Sequence, residues 1–386
     1  MCLKTFSGSR KYVVFCLSVL LVFTAVAAYS LAGQLHARKI SELSYSENTL
    51  FLNNNTLLSG NYPNAPSFPG LTPPAFLYLS PINNELYITG GKGYPILILN
   101  TSTNLLTGSL PTFLGSGSVA FDTRNNITYI PTGSNVTAVS SDNKIIANIS
   151  LPFSTFMMSY DPFNNEFYAA VLMNSTSSYN RVYALNSSLD IVKQVYVSFE
   201  PTNFAYNSFN HFIYVVNSHS GTVTVISPND TIVRNVTVGF GPDRIAVDPA
   251  DGTVYVANMG ENNISIITSN FSVSSVAFNS IGSPTSVAYD TTAGVAVVGY
   301  YGGEMKVLKV NNVVGTVRFG GMPNSAVYDA HSQSIYVGFP ASDTVSIIQL
   351  NLSYTTKTEL PLTAILTFVA LVAADATAYS LLRRFS

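Results

Sequence analysis

Short apolar runs recur along the chain at a period of about forty residues, each closing on a small polar residue and a turn. One phrase reads VAFDTRNNITYI from Val119, MSYDPFNNEFYA from Met158 and FAYNSFNHFIYV from Phe204. It returns as IAVDPADGTVYV from Ile245, VAYDTTAGVAVV from Val287 and AVYDAHSQSIYV from Ala326, and a divergent copy, LYLSPINNELYI, starts at Leu77. The anchor residues Ser80, Asp122, Asp161, Asn207, Asp248, Asp290 and Asp329 are separated by 42, 39, 46, 41, 42 and 39 residues.

Each copy reads as four strands. Ile245 to Val247 form a short apolar strand, Pro249 to Gly252 a turn, and Thr253 to Ala257 a second strand of alternating pattern. Ile264 to Ile267 and Val273 to Phe278 supply a third and a fourth. A step of Gly and Pro, as at Gly239/Pro242, Gly282/Pro284 and Gly320/Pro323, opens the next copy. Four antiparallel strands in forty residues mark a propeller blade, and seven copies predict an all-β, seven-bladed β-propeller of four-stranded antiparallel blades. The seventh copy stops after its third strand, at Leu350. Residues 53–62, NNNTLLSGNY, resemble NTSTNLLTGS at 100–109, so the expectation is that Thr56 to Tyr62 completes the last blade.

The copies resemble the YVTN β-propeller repeat through YVAN at 255–258, YVVN at 214–217 and IAVDP at 245–249. That family includes archaeal surface-layer proteins and periplasmic YncE-like proteins. The resemblance implies a propeller outside the cytoplasm with a binding or structural role, and it carries no catalytic residue to transfer. The first and sixth copies lack the YVxN phrase.

Two longer apolar runs flank the repeats. Val13 to Leu31 has no charge and follows Lys4, Arg10 and Lys11, which suits a membrane-spanning segment with its N-terminus in the cytoplasm. Ala25-Val26-Ala27 equally suits a signal-peptidase site, and the two readings stay open. Leu360 to Leu382 is followed by Arg383 and Arg384, so both readings place the repeats outside the cell. Ala370, Ala374 and Ala378 share one helix face there, and Asp375, the one charge of the run, is a candidate contact to a partner helix. The expected organisation is a cytoplasmic N-terminus plus signal-anchor or signal-peptide helix over 1–34, a linker over 35–48 and a propeller over 49–352, whose N-terminal strand closes the last blade. A linker over 353–359, a transmembrane helix over 360–382 and a cytoplasmic tail over 383–386 follow.

Composition narrows the function classes. Only 10% of the 386 residues are charged and the net charge is −2, so there is no basic field for nucleic acid. Cys2 and Cys16 are the only cysteines and precede the repeats, which excludes a disulfide framework there. His211, His219 and His331 fall at different repeat positions without metal-ligand spacing, and Trp is absent, so no cofactor is expected. The recurring Asp is read as a turn former, because Asp, Asn and Ser all bond the backbone two residues on. Asn-x-Ser/Thr sequons occur at Asn54, Asn100, Asn126, Asn135, Asn148, Asn174, Asn186, Asn229, Asn235, Asn263, Asn270 and Asn351, all between the flanking runs, as glycan acceptors on an exported domain must be.

Variation gathers in the loops between second and third strands. These offer Lys92, Tyr94, Tyr179, Arg181, His219, Glu261, Tyr300, Tyr301 and Glu304 as candidate interaction residues. The sequence favours a non-enzymatic, membrane-anchored surface module that binds envelope proteins, glycans or other ligands. A metal-dependent hydrolase or lactonase-type propeller and an accessory subunit of a membrane complex are the rival readings.

Overall fold

The computed structural model describes residues 37–51, 75–90, 94–111, 117–172, 181–278 and 282–358, with the side chains of 37–51, 172 and 351–358 set aside. Two compact units divide the chain, Leu43–Asn351 and a second made of Met1–Glu42 with Leu352–Ser386. All seven repeats belong to the first. The runs 13–31 and 360–382, with Asp375, lie outside the described residues. Among the described residues no helix is long and apolar enough to cross a membrane.

The described strands number 27 and form six sheets. Five have four strands, and four of these are in hairpin order, such as Pro242–Val247, Val254–Asn258, Asn263–Ile267 and Val273–Ala277 in the fifth repeat. The sixth sheet has seven strands, because one strand of 17 residues, Ile145–Asp161, serves two repeats. Its first part pairs with Gly133–Ser140 and its last part with Glu166–Leu172. No glycine occurs within 145–161, whereas Gly241 (φ 63°) and Gly282 (φ 87°) break the chain at later junctions. Seven four-stranded units therefore follow one another.

Burial peaks in the second and third strands and falls toward the outer edge. The second strand of the fifth repeat, VYVAN, is buried at every position, while its fourth strand alternates between exposed and half-buried residues. Apolar clusters join neighbouring repeats, as Tyr214, Val223 and Val236 meet Val254, Val256 and Ile267. The first repeat packs on the seventh in the same way, through Leu77, Leu86 and Leu99 against Tyr336, Val345 and Ile347. Leu77 N donates to Ser325 Oγ (3.0 Å), and Asn324 Nδ2 donates to the Ala75 carbonyl (2.7 Å). These contacts close the unit into a β-propeller.

The last sheet has the order Ala37–Phe51, Thr344–Thr358, Ser334–Phe339, Ser325–Asp329. Its outermost strand thus lies upstream of the expected Thr56 to Tyr62, which is outside the described residues. Strand structure also runs into both segments expected as linkers, 35–48 and 353–359.

The repeated anchors act through geometry. Oδ1 of Asp122, Asp161, Asn207, Asp248, Asp290 and Asp329 accepts the backbone N–H two residues on, and Ser80 Oγ does the same. Four residues past the anchor the backbone takes positive φ, at Asn126, Asn165, His211, Gly252, Gly294 and Gln333. A second regularity concerns the buried tyrosine of the second strand. Tyr87 OH donates to Asn143 Oδ1 (2.7 Å), Tyr168 OH to Asp230 Oδ1 (2.6 Å) and Tyr336 OH to Asn104 Oδ1 (2.8 Å). Each acceptor sits at positive φ in the following repeat's turn between third and fourth strands. Asn83 Nδ2, in a first turn, donates to the Ser141 carbonyl in such a turn, so both kinds of turn share one side of the propeller. The opposite side carries the loops from second to third strand and from one repeat to the next.

Candidate functional site

On the turn side the anchor oxygens are mostly taken up by turn geometry, whereas the loop side and the channel along the inner strands lack such a repeated pattern. A cavity of about 420 Å³ follows the inner strands of the first four repeats. Tyr78, Phe121, Met157, Tyr160, Phe204 and Tyr206 line it. Most of its hydroxyls are already bonded. Tyr78 OH donates to the Gly117 carbonyl, Tyr160 OH to Asn165 Oδ1 (2.7 Å), and Tyr206 OH bonds His211 Nδ1 (2.8 Å). Burial pushes all three phenols up, Tyr160 to about 12. The wall is therefore apolar, aromatic and neutral.

At the loop end of the inner strands, polar side chains tie neighbouring repeats together. Ser118 Oγ accepts from Met158 N (2.7 Å), and Asn203 Nδ2 donates to the Asp243 carbonyl (3.1 Å). Arg244 extends from the fifth repeat until its guanidinium lies 5.0 Å from the centre of the Phe76 ring in the first repeat, which places it across the channel. Asp243 Oδ2 holds its Nη1 at 2.8 Å, and its buried Nε has no partner among the described residues. The loop end of the inner strands thus holds one charge-balanced cation whose spare N–H is buried.

The loop side carries exposed apolar side chains in consecutive repeats. Phe199 is 43% exposed, Phe240 61%, Met259 39% and Tyr301 65%. Glycines let two of the rings cross the neighbouring loop. A Cβ on Gly260 would come within 2.3 Å of Phe240 Cδ1, and one on Gly282 within 2.7 Å of Tyr301 Cβ. Beside Phe199, the Glu200 carboxylate pairs with His219, whose ring meets Phe199 edge-on at 5.6 Å. Glu200 holds φ 62°, while Gly241 holds φ 63° at the corresponding step before Pro242. A non-glycine residue in that region costs about 1 kcal/mol, so the backbone is strained where this carboxylate is presented.

The candidate residues separate in the structure. His219, Glu261 and Tyr301 are exposed on the loop side, and Glu261 Oε2 accepts from Asn263 Nδ2 (3.1 Å). Tyr94 is half-buried. Arg181 lies over the Tyr196 ring at 5.5 Å. Tyr300 departs from the expected surface role. It is fully buried against Phe278, at the position where the fourth and fifth repeats place Asn217 and Asn258 opposite a proline. Glu304 is also mostly covered and pairs with Lys306 at 3.1 Å. Lys92 and Tyr179 lie outside the described residues. Phe199, Phe240 and Met259 escape the sequence reading, although a Phe just before the proline that opens a repeat is visible in the sequence at 199 and 240.

Among the sequons, Asn148 and Asn235 stand exposed on fourth strands, with Oδ1 accepting from Thr137 and Thr224. Asn135 is exposed on a third strand, and its Oδ1 accepts from Ser150 Oγ (2.9 Å). Asn100, Asn186 and Asn270 use Oδ1 to start turns. Asn126 and Asn229 lie in turns and Asn263 begins a third strand. Asn351 falls within the strand Thr344–Thr358. Asn54 and Asn174 lie outside the described residues. Among the described residues no group of three His, Cys, Asp or Glu is placed to hold a metal.

No family model and no curated protein matches the chain. Solved structures do resemble it. Virginiamycin B lyase from Staphylococcus aureus superimposes with a TM-score of 0.63 at 14% identity, over 80% of this chain and 100% of that one. The Kuenenia stuttgartiensis hydrazine synthase structure gives 0.59 at 15% identity, over 77% and 99%. The Cps50 (Swd1) β-propeller domain of Myceliophteria thermophila gives 0.59 at 11%, over 72% and 96%. At these identities the likeness shows the propeller fold alone.

Proposed function

We propose that this chain is a membrane-anchored, extracellular, seven-bladed propeller of the YVTN type that acts as a non-enzymatic binding or scaffold module at the cell surface. Its partners are envelope proteins or glycans, met by the loop side. The observation that carries the reading is the run of exposed Phe199, Phe240, Met259 and Tyr301 on the loop side. Rings of this kind are the usual anchors of a contact surface, because they cover large area at low entropic cost. Low surface charge and sequons such as Asn148 and Asn235 suit an exported, glycosylated protein.

Photo-crosslinking of the full chain in its native membrane tests this. A crosslinker in place of Tyr301 or Phe240 should capture one defined envelope partner, and a crosslinker in place of Asp251 on the turn side should not. Phe240→Ser should weaken the captured complex by about tenfold or more. Equal capture from both sides, or unchanged affinity in Phe240→Ser, would remove the loop side as the contact surface.

A further inference from the structure

The turn side carries an unexplained apolar band. In each of the first six repeats the fourth strand begins beside a turn with an exposed aliphatic side chain: Leu105, Ile146, Val192, Val233, Val273 and Val313, each between 44% and 55% exposed. Phe163 and Phe209 add exposed rings in two first turns on the same side. Further along the same strands, toward the loop side, the exposed residues are mostly polar, among them Asn148, Ser150, Asn235, Thr237, Ser275 and Arg318, with Tyr196 and Ala277 as apolar exceptions. The outer wall of the propeller therefore grades from apolar at the turn side to polar at the loop side. Single exposed aliphatics need no explanation, but a position filled this way in six successive repeats forms a band.

Where the chain leaves the propeller identifies what covers the band. The strand Thr344–Thr358 starts at the loop side, where Thr344 pairs with Phe339. It reaches the turn side by Gln349, whose Nε2 donates to Ser334 Oγ (3.1 Å) and to the Ser332 carbonyl (3.2 Å). Asn351, the end of the propeller unit, thus lies at the turn side. The apolar run Leu360 to Leu382 follows within about ten residues, a reach of at most about 35 Å. On the tethered reading given above, which this inference rests on, the turn side is the side from which the chain leaves toward lipid.

We infer that the apolar band of the turn side rests in the interfacial layer of the bilayer, so that the loop side faces away from the membrane. The side chains that would enter are aliphatic and phenyl, and the nearby charges are mixed. Arg124, Lys144, Lys193, Arg234 and Lys309 stand among Asp142, Asp190, Asp251 and the less exposed Glu85 and Glu166. The recognised chemistry is therefore the headgroup–acyl boundary of neutral lipid rather than anionic lipid.

The test uses the full chain in phosphatidylcholine vesicles, with Cys2 and Cys16 replaced by Ser and one cysteine introduced for a fluorophore. Val233→Cys, Val192→Cys and Tyr301→Cys are compared in vesicles carrying nitroxide-labelled lipid. The expected result is at least a twofold loss of emission at 192 and 233 and little loss at 301. Protein that floats with the vesicles while all three positions stay bright would overturn the inference and leave the tether intact. Equal quenching at 233 and 301 would overturn it as well. Protein that does not float with vesicles would overturn the tethered reading itself. Disulfide-linked dimers of the unlabelled Val233→Cys protein, without lipid quenching of its labelled form, would overturn the lipid contact and assign the band to a second copy of the chain. Since Val192 and Val233 are exposed, the substitutions leave the core untouched, and an unchanged melting curve verifies this.

Discussion

The turn side and the loop side are built from the same repeat under opposite rules. On the turn side each repeat fixes a polar anchor, six of the seven add a positive-φ residue four positions later, and three junctions add a tyrosine bond to the next repeat's turn. The anchor oxygens there are mostly taken up by turn geometry. On the loop side nothing recurs at a fixed offset except the Gly-Pro step. The residues that fill this freedom are Phe199, Glu200, His219, Phe240 and Tyr301. A repeat scaffold thus separates what closes the ring from what is left to meet a partner.

The comparison breaks most visibly at the ring closure. Tyr336 is fully buried in the seventh repeat, and its hydroxyl donates to Asn104 Oδ1 (2.8 Å) and the Thr101 carbonyl (3.1 Å) of the first. Tyr336→Ala leaves a cavity between the two repeats and orphans a turn acceptor, so a loss of about 3–5 kcal/mol is expected. Denaturant titration measures it, with Tyr301→Ala as the loop-side control within about 0.5 kcal/mol of wild type. A loss below about 1 kcal/mol for Tyr336→Ala would mean that the ring does not depend on this closure.

The turn side is the more legible of the two. Because the anchor phrase recurs, it sets the phase of every copy; the fifth repeat's second, third and fourth strands lie within a residue of those expected, while its first begins three residues earlier, at Pro242. The reading of the anchors as turn formers follows from chemistry that Asp, Asn and Ser share. Three features are not legible. The fused strand Ile145–Asp161 depends on a glycine that is missing, which a search for recurring residues does not notice. The strand beside Thr344–Thr358 pairs across nearly the whole chain, and the local likeness of NNNTLLSGNY to NTSTNLLTGS carries no information about that partner. Tyr300 reads as a loop tyrosine beside glycines because the sixth copy lacks the YVxN phrase that marks the buried position.

A second test sharpens the electrostatic side of the comparison. Glu166, where a first turn enters its second strand, has its carboxyl raised to about 7. Burial is the main cause, followed by the Asp230 and Asp161 carboxylates, with Asn164 and Lys193 pulling the other way. The folded state therefore keeps a proton that the unfolded chain releases near the ordinary glutamate value of 4.5. Between those values the folded form binds more protons, so stability falls as pH rises from about 4.5 to about 7 and levels off above. Glu166→Gln should flatten this decline and be more stable than wild type at about pH 8, the gap shrinking towards about pH 4. Parallel melting curves for the two proteins across this range would show that Glu166 titrates alike in both states.

The smallest effect has the opposite sign and belongs to the loop side. Glu200 occupies a left-handed conformation that Gly241 adopts freely one repeat later, and its carboxylate pairs with His219 on the loop side. Glu200→Gly relieves the strain and adds backbone freedom to the unfolded chain, and the exposed ion pair it removes contributes little. The net expectation is a gain of up to about 1 kcal/mol in thermal unfolding together with weaker capture of the loop-side partner. Stability gained and binding lost in one substitution would mark Glu200 as strained for contact rather than for folding. If instead Glu200→Gly destabilises the protein while capture is unchanged, the pair with His219 holds the loop together and the contact surface lies with Phe240 and Tyr301 alone.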